Sequence, residues 1–183
     1  MSQRNKILIA IILVGIGVTA RLLPHWWNFT PIIAISLFAG VYLGRNYVWV
    51  LPVITMFLSD IFIGFYDLKL MFFVYGSFVI VGIFSYLIKE KKNIITIFLA
   101  TISASVLFYF ITNWAVWQFG LWYPKTINGL LNSYTLAIPF FRNALLGDLF
   151  YTFSFFGAYE LAIFFVKNFK FAKIFNLKFK EQM

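Results

Sequence analysis

A chain of 183 residues that is 62% hydrophobic and only 11% charged is not a soluble domain, where about 25% charge is usual. There is room for one membrane domain, residues 1–183, and no stretch is polar enough for a second, soluble one. The net charge of +9 does not point to nucleic acid, because the bases flank apolar segments; the absence of cysteine excludes disulfides and thiol chemistry.

Crossing a bilayer as a helix takes about 20 apolar residues. Six segments qualify in chain order: Lys6–Leu23, Pro31–Gly44, Val48–Phe65, Leu70–Ile88, Ile94–Gln118 and Leu136–Val166. The second is short, which suits a tilted helix covered by its neighbours. Pro31 suits a helix start, with Thr30 as its N-cap, and Pro52 fits the first turn of the third span. Pro139 marks the start of the sixth or a kink in it. Arg4 and Lys6 before Ile7–Thr19, then Val18-Thr19-Ala20, also read as a signal peptide; retention of the first helix is the expectation.

Positive charge orients the bundle. With the N-terminus inside, eleven Lys and Arg residues flank the inner ends and four lie outside: Arg21, Lys69, Lys125 and Arg142. The positive-inside rule then puts both termini in the cytoplasm. Five of the six tryptophans fall on the outer side. They form either an interfacial belt or an aromatic mouth for a flat or cationic ligand. The tail 167–183 alternates bases with Phe169, Phe171, Ile174, Phe175 and Phe179, as an amphipathic helix on an anionic surface does. A stop-transfer flank explains its first turn equally well.

Polar residues inside the spans carry the functional reading. Asp148 lies within the last apolar stretch, where a carboxylate costs on the order of 2.5–3.5 kcal/mol unless it faces protein or water. Tyr151 and Thr152 follow at helical spacing and can donate to it; Arg142 and Asn143 lie one to two turns outward. Asn113, Trp114 and Trp117 form the outer end of the fifth span and a candidate ligand wall. Asp60 near the outer end of the third span, and Asn28 and His25 after the first, complete the candidate set. Thr101, Ser105, Tyr109 and Thr112 make a stripe that reads as helix packing. The Gly40-Val41-Tyr42-Leu43-Gly44 step allows close approach, inside the chain or to a partner.

Bond-breaking machinery is not evident. There is no P-loop, no H-E-x-x-H and no G-x-S-x-G, and a single histidine cannot build a metal cluster. Asp60 and Asp148 superficially offer an intramembrane aspartyl dyad, but Leu145-Leu146-Gly147-Asp148 lacks the first glycine of G-x-G-D. The expectation is a binding protein, neither an enzyme nor dependent on a cofactor.

The stretches Arg21-Leu22-Leu23-Pro24-His25, Asn28-Phe29-Thr30-Pro31-Ile32, Leu58-Ser59-Asp60, Thr112-Asn113-Trp114, Tyr123-Pro124, Pro139-Phe140-Phe141-Arg142-Asn143 and Leu146-Gly147-Asp148-Leu149-Phe150-Tyr151-Thr152 resemble an uncharacterised family of small bacterial integral membrane proteins. That family in turn resembles the substrate-binding S components of energy-coupling factor (ECF) vitamin transporters, at the level of the fold. The resemblance implies a bacterial inner-membrane protein with six helices, both ends inside. It implies an outer-half pocket built by the loop after the first helix and by the last three helices. A transmembrane coupling subunit and two ATPases would be its partners. The first helix departs from the A-x-x-x-A docking pattern, offering Ala10, Gly15, Gly17 and Thr19. Trp26 and Trp27 are bulkier than is usual there, which implies a different ligand.

The fold expected is therefore an all-α, S-component-like bundle of six transmembrane helices. Its expected role is binding a small vitamin-like or heteroaromatic solute for import. The alternatives are a structural or accessory membrane protein without ligand, and a proton-coupled small-solute transporter using Asp148.

Overall fold

The structure is a computed structural model that describes residues 1–24 and 26–180, with side-chain surroundings described as far as residue 168. Among the described residues every regular element is a helix. In chain order these are α1 (Gln3–Leu22), α2 (Ile32–Phe38, extended by a π-helical turn over Ala39–Leu43), α3 (Arg45–Ile63), α4 (Leu68–Val81), α5 (Phe84–Glu90), α6 (Ile94–Phe119), α7 (Ile127–Thr135) and α8 (Ile138–Lys180). The helices α4 and α5 form one interrupted rod, Leu68–Glu90. Five helices are long and apolar enough to cross a membrane: α1, α3, the α4–α5 rod, α6 and α8 over Ile138–Asn168.

The chain divides into two compact units, residues 1–152 and 153–183. The second unit, as far as it is described, is helical throughout. The side chains of the tail's bases and phenylalanines beyond Asn168 lie outside the described residues, so the amphipathic reading of that run is not addressed by them.

The first unit is organised around α2. All seven residues of Ile32–Phe38 are buried, and the helix packs against α1, α3, α4, α5 and α6. The helix is apolar all round, and neighbouring helices rather than lipid cover it. Lipid supplies little hydrophobic drive between helices, so close contact of small residues does much of the work. A side chain at Gly17 would run into Thr55 and Ile35, and one at Gly40 into Ser85 and Val48. The Gly40 surface is thus spent on contacts within the chain and is not open to a coupling partner.

Caps explain several boundaries. Asn93 Oδ1 accepts from the Thr96 amide at the start of α6, and Thr126 Oγ1 from the Gly129 amide at the start of α7. Asp67 Oδ1 accepts the Lys69 and Leu70 amides at the start of α4. Gly44 and Gly64, at φ 115° and 106°, bound α3 in a backbone region open mainly to glycine.

Three sequence expectations change. Pro31 itself occupies the N-cap position of α2, displacing Thr30 from that role. Pro52 lies well inside α3, which begins at Arg45, not in its first turn. The segment after α6 is not a plain loop; α7 forms within it, capped by Thr126. Pro139 falls in the first turn of α8, where its missing N–H costs nothing.

Candidate functional site

Within the first unit a cavity of about 630 Å³ opens between α1, α3, α4, α6 and the start of α8. Its polar lining comes from Arg21 on α1, Asn28 and Thr30 in the following loop, and Ser105, Thr112, Asn113 and Asp148. Its aromatic lining includes Trp27, Tyr66, Phe108, Tyr109, Phe140 and Phe141. Asn28 holds φ 63°, a left-handed conformation that Asn tolerates better than most residues. The loop is anchored by Phe29, whose ring packs against Phe150 and Tyr151, its atoms close over Gly147. Trp27 stacks on Phe140 with centroids 5.4 Å apart and 15° between planes.

Asp148 is 5% exposed. Its Oδ2 accepts a hydrogen bond from Ser105 Oγ at 2.6 Å. No described residue donates to its Oδ1, and no cation pairs with it. The sequence pointed to Tyr151 and Thr152 as donors. The donor comes instead from α6. Tyr151 turns toward Phe29, and the buried Thr152 hydroxyl reaches no partner.

At another wall, Arg21 pairs with Asp60. Its Nη2 lies 2.8 Å from Asp60 Oδ1, and its Nη1 donates to Ser59 Oγ at 2.5 Å and to the Met56 carbonyl at 3.3 Å. Tyr75 donates to Asp60 Oδ2 at 2.7 Å. A guanidinium carries five N–H groups, so two remain uncommitted on Arg21, which lines the cavity. Tyr66, in the loop between α3 and α4, has its phenol pushed up to about 12 by burial, and next by the Asp60 charge. It therefore stays a neutral hydroxyl at the cavity wall.

Of the residues singled out from sequence, Asp148, Asn113 and Asn28 meet at this cavity. Asp60 stands behind Arg21, fully occupied and not in the lining. Arg142 is exposed, and neither it nor Asn143 nor Tyr151 lines the cavity. Trp114 faces a second, apolar cavity of about 610 Å³ between α4 and α6, where it packs on Phe73. Trp117 Nε1 donates to the Pro124 carbonyl, and its own carbonyl accepts the Lys125 amine, which also caps Gly120 at the end of α6. His25 lies outside the described residues.

Sequence reasoning missed Arg21, counted only as a flanking charge, and assigned Ser105, Tyr109 and Thr112 to helix packing. All four line the cavity. Among the described residues no three His, Cys, Asp or Glu side chains gather into a metal-holding set.

A family model described as "Family of unknown function (DUF6580)" matches residues 1–172. The chain belongs to the DUF6580 family. No curated protein and no solved structure matches it. The family's description assigns no activity, so the reading of this DUF6580 member rests on its cavity.

Proposed function

We propose that this protein is a membrane-embedded binding subunit for import of a small vitamin-like or heteroaromatic solute. The observation that carries the reading is the cavity of about 630 Å³, within the range of roughly 300–1,000 Å³ typical of small-molecule sites. Its lining follows the usual division for such sites: aromatic walls supply contact area, and a few polar groups fix orientation. Asn113 Nδ2 is held by the Tyr109 carbonyl at 2.8 Å, which leaves its Oδ1 to accept from a solute. The proposal involves binding and release, with no bond chemistry.

The reading includes an inner-membrane location with both termini cytoplasmic, supported by the eleven-to-four distribution of bases. It also includes a coupling subunit and ATPases, by likeness to ECF S components. Because Gly40 is enclosed, a coupling subunit would have to use another surface; α1 offers one, with Ile7, Leu8, Ile11, Ile12 and Ile16 exposed.

Mass spectrometry of small molecules released by heat from the detergent-purified protein tests the reading. A single compound at near-stoichiometric amount is expected. It should be missing from Ala144→Trp, which fills the cavity from its lining. A wild type that arrives empty from rich medium, and takes up nothing when incubated with a small-molecule extract, would favour a structural or accessory role. The interlocked Arg21–Asp60–Tyr75 cluster would then be the chain's main polar feature.

A further inference from the structure

We propose that the solute is a flat organic cation whose positive group sits at Asp148. The inference rests on the reading of the cavity as a solute site and adds the class of solute. Its basis is the charge balance of the lining.

Two lining residues can carry full charge, Arg21 and Asp148. They are not equivalent. Arg21 is already neutralised by Asp60 at 2.8 Å, the ion pair found among the described residues. Among the described residues Asp148 has no such partner. One neutral hydroxyl, Ser105, reaches its Oδ2, and Oδ1 is left bare in the cavity. With Asp148 ionised, the site as a whole is short of one positive charge. A carboxylate this buried is costly without a counter-charge, and one cation of the solute would supply it.

The rest of the lining fits the same solute. Tyr66, Phe108, Tyr109 and Phe140 line the same cavity, and aromatic faces attract cations within about 6 Å. The two uncommitted N–H groups of Arg21 ask for an acceptor on the solute. Because Asp60 already balances the guanidinium, that acceptor is a neutral carbonyl or ring nitrogen rather than a carboxylate. A carboxylate there would leave the site, even with the solute's cation at Asp148, with an uncompensated negative charge.

The test uses the full-length protein in detergent. Small molecules of yeast extract are separated by ion exchange into cationic, neutral and anionic fractions. Each fraction is incubated with the protein, and bound compounds are released by heat and weighed. The cationic fraction is expected to yield the bound compound. In competition titrations with that fraction, Asp148→Asn should bind it at least about 30-fold more weakly, the lower end for truncating a buried charge pair. Thermal unfolding of Asp148→Asn in detergent, beside the wild type, reads whether the variant folds. Capture from the neutral or anionic fraction would overturn the cation assignment while leaving the cavity a solute site. Capture from none of the three would overturn the solute-site reading itself. The wild-type result decides between these outcomes even if Asp148→Asn fails to fold.

Discussion

Arg21 on α1 and Asp60 on α3 form a 2.8 Å ion pair in which the carboxylate is 1% exposed and the guanidinium 14%. Further polar groups surround the pair in this apolar bundle. Tyr75 on α4 donates to the second carboxylate oxygen, and Ser59 and the Met56 carbonyl accept from the guanidinium. The cluster joins three helices at one end of the cavity. It also fixes the orientation in which Arg21 presents its remaining donors.

Removing one member should therefore be far worse than removing both. Asp60→Ala leaves a partly buried guanidinium unpaired, and stability should fall by roughly 3–5 kcal/mol. Arg21→Met with Asp60→Leu should cost much less than the sum of the single changes. Thermal unfolding in detergent reads both. Additive losses would mean that the pair contributes nothing through its contact.

The apolar segments, and the need to cover the short second one, were readable from composition and length. Asp148 and Asn113 were readable because polar groups stand out in oil. The stripe Thr101, Ser105, Tyr109 and Thr112 on α6 was readable too, but it was assigned to helix packing, so its place at the cavity was not drawn. Helical arithmetic carries the missing signal. At 3.6 residues per turn Tyr109, Thr112 and Val116 return to within about 40° of Ser105, whereas Trp114 falls about 180° away. Once Ser105 is tied to Asp148, Trp114 must face elsewhere, and it does. The Arg21–Asp60 pair lacked any local pattern, since it joins positions 39 residues apart on separate helices.

Ser105 offers one hydrogen to two acceptors, Asp148 Oδ2 at 2.6 Å and the Thr101 carbonyl at 3.0 Å. The carbonyl is also reached by α6's own amide ladder, so the carboxylate is the acceptor that depends on the hydroxyl. Ser105→Ala should cost about 0.5–1.5 kcal/mol of apo stability, the net range for an intramolecular hydrogen bond. Combining it with Asp148→Asn in a double-mutant cycle should give a coupling energy of at least about 0.5 kcal/mol. A coupling of zero would show that the two side chains are neighbours without being partners.

Gly40 and Ser85 make a sharper packing test. A methyl group at Gly40 meets the Ser85 side chain and Val48, and the Ser85 hydroxyl is buried without a partner. Gly40→Ala should destabilise by about 1–3 kcal/mol through overpacking. Ser85→Ala should be close to neutral, because it removes a hydroxyl that makes no bond. Ser85→Gly should recover part of the Gly40→Ala loss, although Val48 still crowds the site. If Gly40→Ala leaves the melting temperature untouched, the close approach of α2 to α5 is not needed for stability.

The last prediction concerns how many times the chain crosses. The α2 segment, Ile32–Leu43, has 12 residues and rises at most about 18 Å, against roughly 30 Å of hydrocarbon. Its burial by five neighbours would let it serve as a crossing without meeting lipid along its length. If α2 counts as a crossing, the N-terminus and the Lys91 turn lie on the same side, and Leu121, separated from Lys91 by α6, lies on the other. Leu121 is fully exposed and makes a better probe than Lys125, which caps α6. The chain has no cysteine, so single cysteines report cleanly. An impermeant thiol reagent on intact cells should label Leu121→Cys, and should leave Ser2→Cys and Lys91→Cys unlabelled until the cells are opened. Labelling of Ser2→Cys together with Leu121→Cys would mean that α2 turns back within the membrane and that only the long helices cross. Labelling of Ser2→Cys and Lys91→Cys without Leu121→Cys would invert the orientation drawn from the eleven-to-four bias of bases, whereas Lys91→Cys alone would mean an inside N-terminus with α2 not crossing.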